Sequence, residues 1–460
     1  MKKDRTLNKS AVFFCEILLP NQAELPKLRL NFPAGKVSFF FSSFTLKVAC
    51  EQQKDFTMSN KVNSYGWKAL MGSAVGYAMD GFDLLILGFM LSAISADLSL
   101  SPTQAGSLVT WTLIGAVAGG IIFGALSDKY GRVRVLTWTI VLFAVFTGLC
   151  AFAQGYWDLL IYRTIAGIGL GGEFGIGMAL AAEAWPARHR AKASSYVALG
   201  WQVGVLAAAL LTPLLLPVIG WRGMFLVGIF PAFVAWYLRA KLHEPEVFVQ
   251  KQAEVATRKR QSPFKLLIKD VATAKVSLGV VVLTSVQNFG YYGIMIWLPN
   301  FLSKQLGFSL TKSGVWTAVT VCGMMAGIWI FGRLADRIGR KPSFLLFQIG
   351  AVISIIAYSQ LTDPAIMLFA GAALGMFVNG MMGGYGALMS EAYPTEARAT
   401  AQNVLFNLGR AVGGFGPVIV GAVVSAYSFK IAIALLAVIY VIDMIATVFL
   451  IPELKGKALK

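Results

Sequence analysis

Twelve long apolar runs constrain this chain more than any other feature. They fall near 67–96, 104–126, 133–154, 157–182, 194–218, 221–241, 276–302, 312–332, 341–360, 364–390, 400–427 and 429–451. Each is roughly 20 residues or more, the length that crosses a hydrocarbon core about 30 Å thick. Lipid offers the backbone no hydrogen bonds, so only helices or closed barrels can span it. The runs are continuously apolar, whereas barrel strands alternate, so helices are expected. Composition agrees: 57% of the residues are hydrophobic and 13% charged, against about 25% charged in soluble domains. The expected fold class is an all-α membrane protein of twelve transmembrane helices.

The net charge of +18 could suggest a nucleic-acid partner. The placement of the charge argues against that reading. With the N-terminus inside, the inner loops from 124 onward hold 23 Lys and Arg. The outer loops hold only Arg222, Lys304, Lys312 and Lys430. Cytoplasmic loops of membrane proteins carry this excess, so both termini are expected in the cytoplasm of a bacterial inner membrane.

The chain repeats itself. "GALSDKYGRVRV" begins at Gly124 and "GRLADRIGRKPS" at Gly332, 208 residues later. "EAWPARHRAKA" begins at Glu183 and "EAYPTEARATA" at Glu391, again 208 residues later. Two unrelated motifs with one offset indicate an internal duplication into two pseudosymmetric six-helix bundles. The expected divisions are an N-terminal bundle at 58–242, a cytoplasmic linker at 243–275 and a C-terminal bundle at 276–460. Parallel six-span repeats are the build of a carrier that rocks about a midplane site. An enzyme or a simple anchor has no need of that symmetry.

These residues resemble a known family. Gly124, Asp128, Gly131, Arg132 and Arg134 match the loop signature of the major facilitator superfamily, and Gly332, Asp336, Gly339 and Arg340 match its second copy. The second copy departs at its last position, which is Pro342, with Lys341 one place earlier. Glu183, Pro186 and Arg190, with Glu391, Pro394 and Arg398, resemble the loops of sugar and acid porters. "RTIAGIGLGGEFG" from Arg163 resembles the superfamily's fourth-helix signature. "DGFD" in the first run, Asp80 to Asp83, is similar to the proton symporters of organic acids, the sialate and aromatic-acid groups.

The loop motifs read as a cytoplasmic gate. Gly124 and Gly332 let neighbouring helices approach closely. Asp128 and Asp336 sit at helix ends, where a carboxylate accepts from an arginine or a helix N-terminus. The resemblance implies that Glu183 and Glu391 lie near Arg132 and Arg340. Pairs that form when the gate shuts and break when it opens make a two-state latch. The alternative is plain topology, with solvated basic loops held inside.

Asp80 and Asp83 lie three residues apart, on one helix face. A charge at the bilayer centre is costly, about 2.5–3.5 kcal/mol on insertion scales. At 1.5 Å per residue from Trp67, they stand about 20 and 24 Å across the membrane. Arg163, counted inward from Trp157, lies about 9 Å from the outer surface. In a membrane about 30 Å thick these depths nearly coincide. The resemblance places the first and fourth helices at one cavity, so Arg163 is expected beside Asp80 or Asp83. Burial raises a carboxyl pKa and an arginine lowers it, so relative movement changes proton affinity. Asp83 is the first candidate proton carrier and Asp80 the second, with a static ion pair as the alternative. Glu173 is either a further proton site or a structural acid.

Arg410, about 16 Å from the inner surface, suits a substrate carboxylate, because its fork binds carboxylates bidentately. A pair with Glu173 or Asp443 is the alternative. Gln287, Asn288, Tyr291, Tyr292, Asn379 and Tyr385 supply further candidate substrate contacts, or else satisfied core groups.

No phosphate-cradling G-x-x-x-x-G-K-[ST] loop is present, and the two histidines, His189 and His243, lie in loop regions. No metal, no cofactor and no enzymatic activity are therefore expected, and an ion gradient is the expected driving force. The four cysteines read as buried or incidental residues. Residues 1–57 read as a weakly ordered extension or a mis-assigned start. The expected partners are a small organic anion, protons and lipid, with no nucleic acid, and the chain is expected to be a monomer. The function expected is proton-coupled import of a monocarboxylate, aromatic acid or acidic sugar. A proton antiporter exporting drugs or metabolites, and a receptor that keeps the carrier fold, are the alternatives.

Overall fold

The computed structural model describes residues 62–240, 242–256, 262–306 and 310–456. The expected N-terminal extension, 1–57, lies outside them. The described contacts belong to one compact unit that begins at Asn63.

Helices α1 (Ser64–Asp97), α2 (Pro102–Tyr130), α3 (Arg132–Cys150), α4 (Tyr156–Gly171), α5 (Glu173–Ala184) and α6 (Arg190–Ala240) make the N-terminal half. Short helices α7 (Glu246–Ala256) and α8 (Pro263–Leu266) follow in the linker. Helices α9 (Val271–Leu306), α10 (Leu310–Ile338), α11 (Arg340–Gln360), α12 (Pro364–Gly380), α13 (Met382–Ala392), α14 (Arg398–Gly413), α15 (Gly416–Ala426) and α16 (Phe429–Leu450) make the C-terminal half. Side chains close the orphan N–H groups at several helix starts. Asn63 Oδ1 accepts from Gly66 N at 2.7 Å, and Ser101 with Gln104 forms a reciprocal capping box.

Among the described residues, eleven segments are long and apolar enough to cross a membrane. The fourth span is α4 and α5 joined at Gly172, and the tenth is α12 and α13 joined at Met381. The fifth and sixth spans share α6, which breaks at Gly220, where φ is 66°. The eleventh run, expected as one span over 400–427, is instead two helices of 16 and 11 residues, α14 and α15. Gly413 and Gly414 weaken the helix there, and a proline opens the first turn of α15, where its missing N–H costs least.

Glycines let the spans interlock. A Cβ at Gly115 or Gly119 of α2 would fall on the carbonyl oxygens of Thr164 and Ile168 of α4. One at Gly167 or Gly171 of α4 would fall on those of Thr112 and Ala116 of α2. Both helices carry G-x-x-x-G, the spacing that lets two backbones touch. Gly323 and Gly327 of α10 repeat the contact on α12, each 208 residues on from its counterpart. The duplication is therefore one of packing as well as of motif.

Candidate functional site

The gate residues meet at one end of the bundle and join the two halves. Asp128 of α2 caps the start of α14 in the other half. Its Oδ1 accepts from Ala399 N at 3.2 Å, and its Oδ2 from Thr400 N at 2.8 Å and Thr400 Oγ1 at 2.6 Å. Asp336 of α10 caps α6 in return, accepting from Ala191 N and Lys192 N at 3.1 Å each. Carboxylates are favoured at a helix N-terminus by the exposed N–H groups and the dipole.

The arginines complete each copy. Arg132 lies 2.7 Å from Asp128 and 3.1 Å from Glu183, and its Nη2 donates to Thr395 O of the other half at 2.6 Å. Glu183 also receives Arg398 across the halves, at 2.6 Å. In the second copy Arg340 lies 3.0 Å from Asp336 and 2.7 Å from Glu391. Arg190 reaches Glu391 across the halves at 3.8 Å. Gly124 and Gly332 make room here, since a Cβ would press on Thr400 and Asn403 in one copy and on Ser195 in the other.

Gly131 and Gly339 turn the chain with φ of 113° and 114°, a region that favours glycine. A Cβ there would collide with Glu244 and Glu453. These two glutamates, which sequence reasoning missed, cap α3 and α11. Glu244 accepts from Arg132 N at 2.6 Å and Arg134 N at 3.1 Å. Glu453 accepts from Arg340 N and Lys341 N at 3.0 Å each. Burial pushes the Glu244 carboxyl above the usual range, against those backbone donors. Each follows a predicted span by only a few residues, and their common place in the two halves was the available signal.

Deeper in the bundle, Arg163 of α4 grips Asp83 of α1. Nη1 donates to Oδ1 at 2.9 Å and Nη2 to Oδ2 at 2.6 Å, with both side chains fully buried. Thr112 Oγ1 accepts from Arg163 Nε at 3.4 Å. Of the two expected partners for Arg163, the structure thus shows Asp83. Asp80 is buried one turn away, within electrostatic range of Tyr77. Glu173 accepts from Thr139 Oγ1 at 2.6 Å.

Arg410 stands where the halves meet. Its guanidinium lies 5.2 Å from the Phe406 ring and 5.6 Å from the Trp201 ring of the N-terminal half. It is 8% exposed, and its Nε meets no hydrogen-bond partner among the described residues. Of the two acids weighed as partners, Glu173 accepts from Thr139 and Asp443 accepts from Gln348 at 2.8 Å. Tyr77 lies within electrostatic range of both Arg410 and Asp80.

Aromatic rings extend from this point across the halves. Tyr77 packs on Trp201 and on Phe174 at 5.2 Å, and Phe174 stacks on Phe406 at 3.9 Å. Tyr385 follows at 6.4 Å from Phe406. The other candidate contacts are largely engaged within the protein. Gln287 Nε2 donates to Asn379 Oδ1 at 2.6 Å, Asn288 Nδ2 to Thr284 O at 2.8 Å, and Tyr385 Oη to Leu283 O at 3.0 Å. Tyr291 Oη accepts from Trp201 Nε1 at 3.4 Å, and its ring packs on Tyr292.

Sequence reasoning missed Tyr77, Phe174, Trp201 and Phe406. Two signals marked their neighbourhood but not the rings themselves. Thr400, Asn403, Asn407 and Arg410 recur at helical spacing and mark an inward polar face of α14. Gln202, beside Trp201, is the residue 208 before Arg410. Together the site offers a buried cation facing a mixed-half aromatic wall, with a separate carboxylate–arginine pair nearby.

Comparison with known proteins agrees with this build. The family model described as Major Facilitator Superfamily matches residues 73–332 and 280–460. The "Putative metabolite transport protein" of Haemophilus influenzae is 86% identical over 406 residues, covering 87% of this chain and 100% of the relative. The cis,cis-muconate transport protein of Acinetobacter baylyi is 28% identical, covering 86% of this chain and 96% of that protein. Among solved structures, the proton:xylose symporter XylE bound to 6-bromo-6-deoxy-D-glucose superposes with a TM-score of 0.74 at 20% identity. It covers 87% of this chain and 98% of that one.

Proposed function

The chain belongs to the Major Facilitator Superfamily, and on that premise we propose that it imports a small organic acid by proton symport. The observation that carries the proposal is Arg410. A buried guanidinium between the halves, with no ion pair to an acid among the described residues, calls for an anion from outside the protein. Trp201 and Phe406 lie close to it, and its forked N–H groups suit a carboxylate. The aromatic wall favours an acid with a flat or conjugated body. The relative named for cis,cis-muconate, a conjugated dicarboxylate, supports that class.

Asp83 and Arg163 serve as the proton switch. The guanidinium offsets the charge of the buried carboxylate, and separation of α1 from α4 would remove that counter-charge. Import requires the proton and acid to enter together from outside and to leave when the latch opens. The latch then faces the cytoplasm of a bacterial cell, with both termini on that side, as the loop charges favour. One chain contains both halves of the site, so a monomer suffices.

Reconstituted vesicles test this. Labelled cis,cis-muconate, with a panel of mono- and dicarboxylates, is supplied outside under an inward proton gradient. Accumulation of an acid that an uncoupler abolishes is the expected result. Acid uptake indifferent to the gradient, or no acid moved, overturns the proposal.

A further inference from the structure

A further buried acid lies in the C-terminal half, outside the latch and the Asp83–Arg163 pair. Asp443 sits midway along α16 and is 0% exposed, as are Gln348 of α11 and Thr447 one turn further on. Gln348 Nε2 donates to Asp443 Oδ2 at 2.8 Å and to Thr447 Oγ1 at 2.7 Å. Asp443 Oδ1 meets no hydrogen-bond donor, and no cation lies within ion-pair distance, among the described residues. Tyr440 Oη and Gln348 Oε1, also fully buried, have no hydrogen-bond partner either.

Asp83 supplies the comparison. It is equally buried, yet two guanidinium N–H groups neutralise it. Asp443 has one uncharged amide donor instead. The titratable groups facing it are Tyr440 from its own helix and Tyr385 from α13, and neither supplies positive charge. An isolated carboxylate in an apolar interior does not stay ionised, because it takes up a proton. The amide N–H of Gln348 suits the neutral acid equally well, since a protonated carboxyl keeps a carbonyl oxygen as acceptor.

We infer that Asp443 is a second proton-binding site, in the C-terminal half, occupied by a proton when the latch is shut. The proton comes from water and sits on the carboxyl as O–H, leaving Oδ2 to accept from Gln348. The site is independent of the Asp83–Arg163 pair, which lies in the other half. The oxygens of Asp443, Thr447, Gln348 and Tyr440 would also suit a sodium ion, so the test must separate the two.

Infrared spectroscopy of the full chain in lipid at neutral pH does so without a transported solute, so its result is separate from the transport reading. The spectrum of the parent protein minus that of Asp443→Asn should show the carbonyl stretch of a protonated, water-free carboxylic acid. The band should persist in Asp83→Asn and when sodium chloride replaces potassium chloride. Gln348→Leu, which keeps the acid but removes its donor, should move the band to higher frequency with its area unchanged. A difference spectrum with only carboxylate stretches overturns the inference, as does a band that sodium abolishes or one that ignores Gln348→Leu.

Discussion

Arg163 closes both carboxylate oxygens of Asp83 in a two-pronged grip at 2.9 and 2.6 Å, with no solvent reaching either side chain. Such a pair is stable only while intact. Removing one partner leaves a bare buried charge and costs about 3–5 kcal/mol. Asp83→Asn should therefore lower thermal stability as well as abolish uphill uptake, while solute exchange persists. Asp83→Asn combined with Arg163→Gln removes the stranded charge and should recover much of the stability without recovering uphill uptake. Melting curves and paired uptake and exchange assays check both. Proton-driven accumulation in the single variant would remove Asp83 from the coupling role.

The two latch copies are unequal. Asp128 receives three donors from the other half, whereas Asp336 receives two. Glu183 bridges Arg132 and Arg398, whereas the cross-half contact of Arg190 to Glu391 is 3.8 Å. Asp128→Asn should accordingly open the latch more than Asp336→Asn. Labelling rates of a single cysteine introduced at Thr395 report the opening. Equal rates in both variants would show that the asymmetry has no energetic weight.

The latch was legible because two motifs recur at one offset, and symmetry brings Asp128, Arg132 and Glu183 to the same place as Asp336, Arg340 and Glu391. The meeting of Arg163 with the acidic pair was legible because helical rise equates their depths and the family resemblance sets the first and fourth helices at one cavity, although the choice between Asp80 and Asp83 stayed open. The aromatic wall was not. In a chain with 12% aromatic residues, Trp201 looks no different from Trp157, which is 69% exposed on the outer surface of the bundle. The break of the eleventh span was equally hidden, because a broken apolar run is as hydrophobic as a continuous one. Sequence could not show that Gln287 donates to Asn379, nor that Gln287 Oε1 and Asn379 Nδ2 are left without a hydrogen-bond partner among the described residues.

The α2–α4 contact has no room for a side chain. Gly119→Val would drive methyl groups into the Ile168 carbonyl. Overpacking of this kind costs about 1–3 kcal/mol or more. The variant should melt earlier and yield less monodisperse protein. Gly88→Ala is the control, since nothing lies within 4 Å of a Cβ there, and it should gain about 0.5–1 kcal/mol of helix stability. Equal melting of the two variants would refute the close-contact argument.

At the opposite end from the latch, Asp97 accepts from Arg222 and from Trp221 Nε1. The Arg222 hydrogen bond, with help from Trp221, holds its carboxyl below the usual range. A depressed carboxyl pKa stabilises the fold above the unfolded value and loses that effect as pH falls through the folded one. Asp97→Asn should therefore melt slightly earlier than the parent at neutral pH and match it in acid. Both groups are well exposed, so added salt should shrink the neutral-pH difference. A difference that persists at low pH would assign the effect to packing.

Arg410 gives the sharpest test of the solute's charge. Lysine keeps the cation but loses the planar fork, so a two-point carboxylate contact becomes a single one. A charge-assisted hydrogen bond is worth about 1.5–3 kcal/mol, so Arg410→Lys should raise the half-saturation concentration about 10- to 100-fold. Arg410→Gln, which removes the charge, should weaken an acid further. The amide or methyl ester of the same acid, supplied as a competitor, should bind poorly to the parent and lose little in either variant. A half-saturation concentration for the acid that ignores both substitutions would place the anion elsewhere. The buried guanidinium between Trp201 and Phe406 would then be a fixed part of the wall.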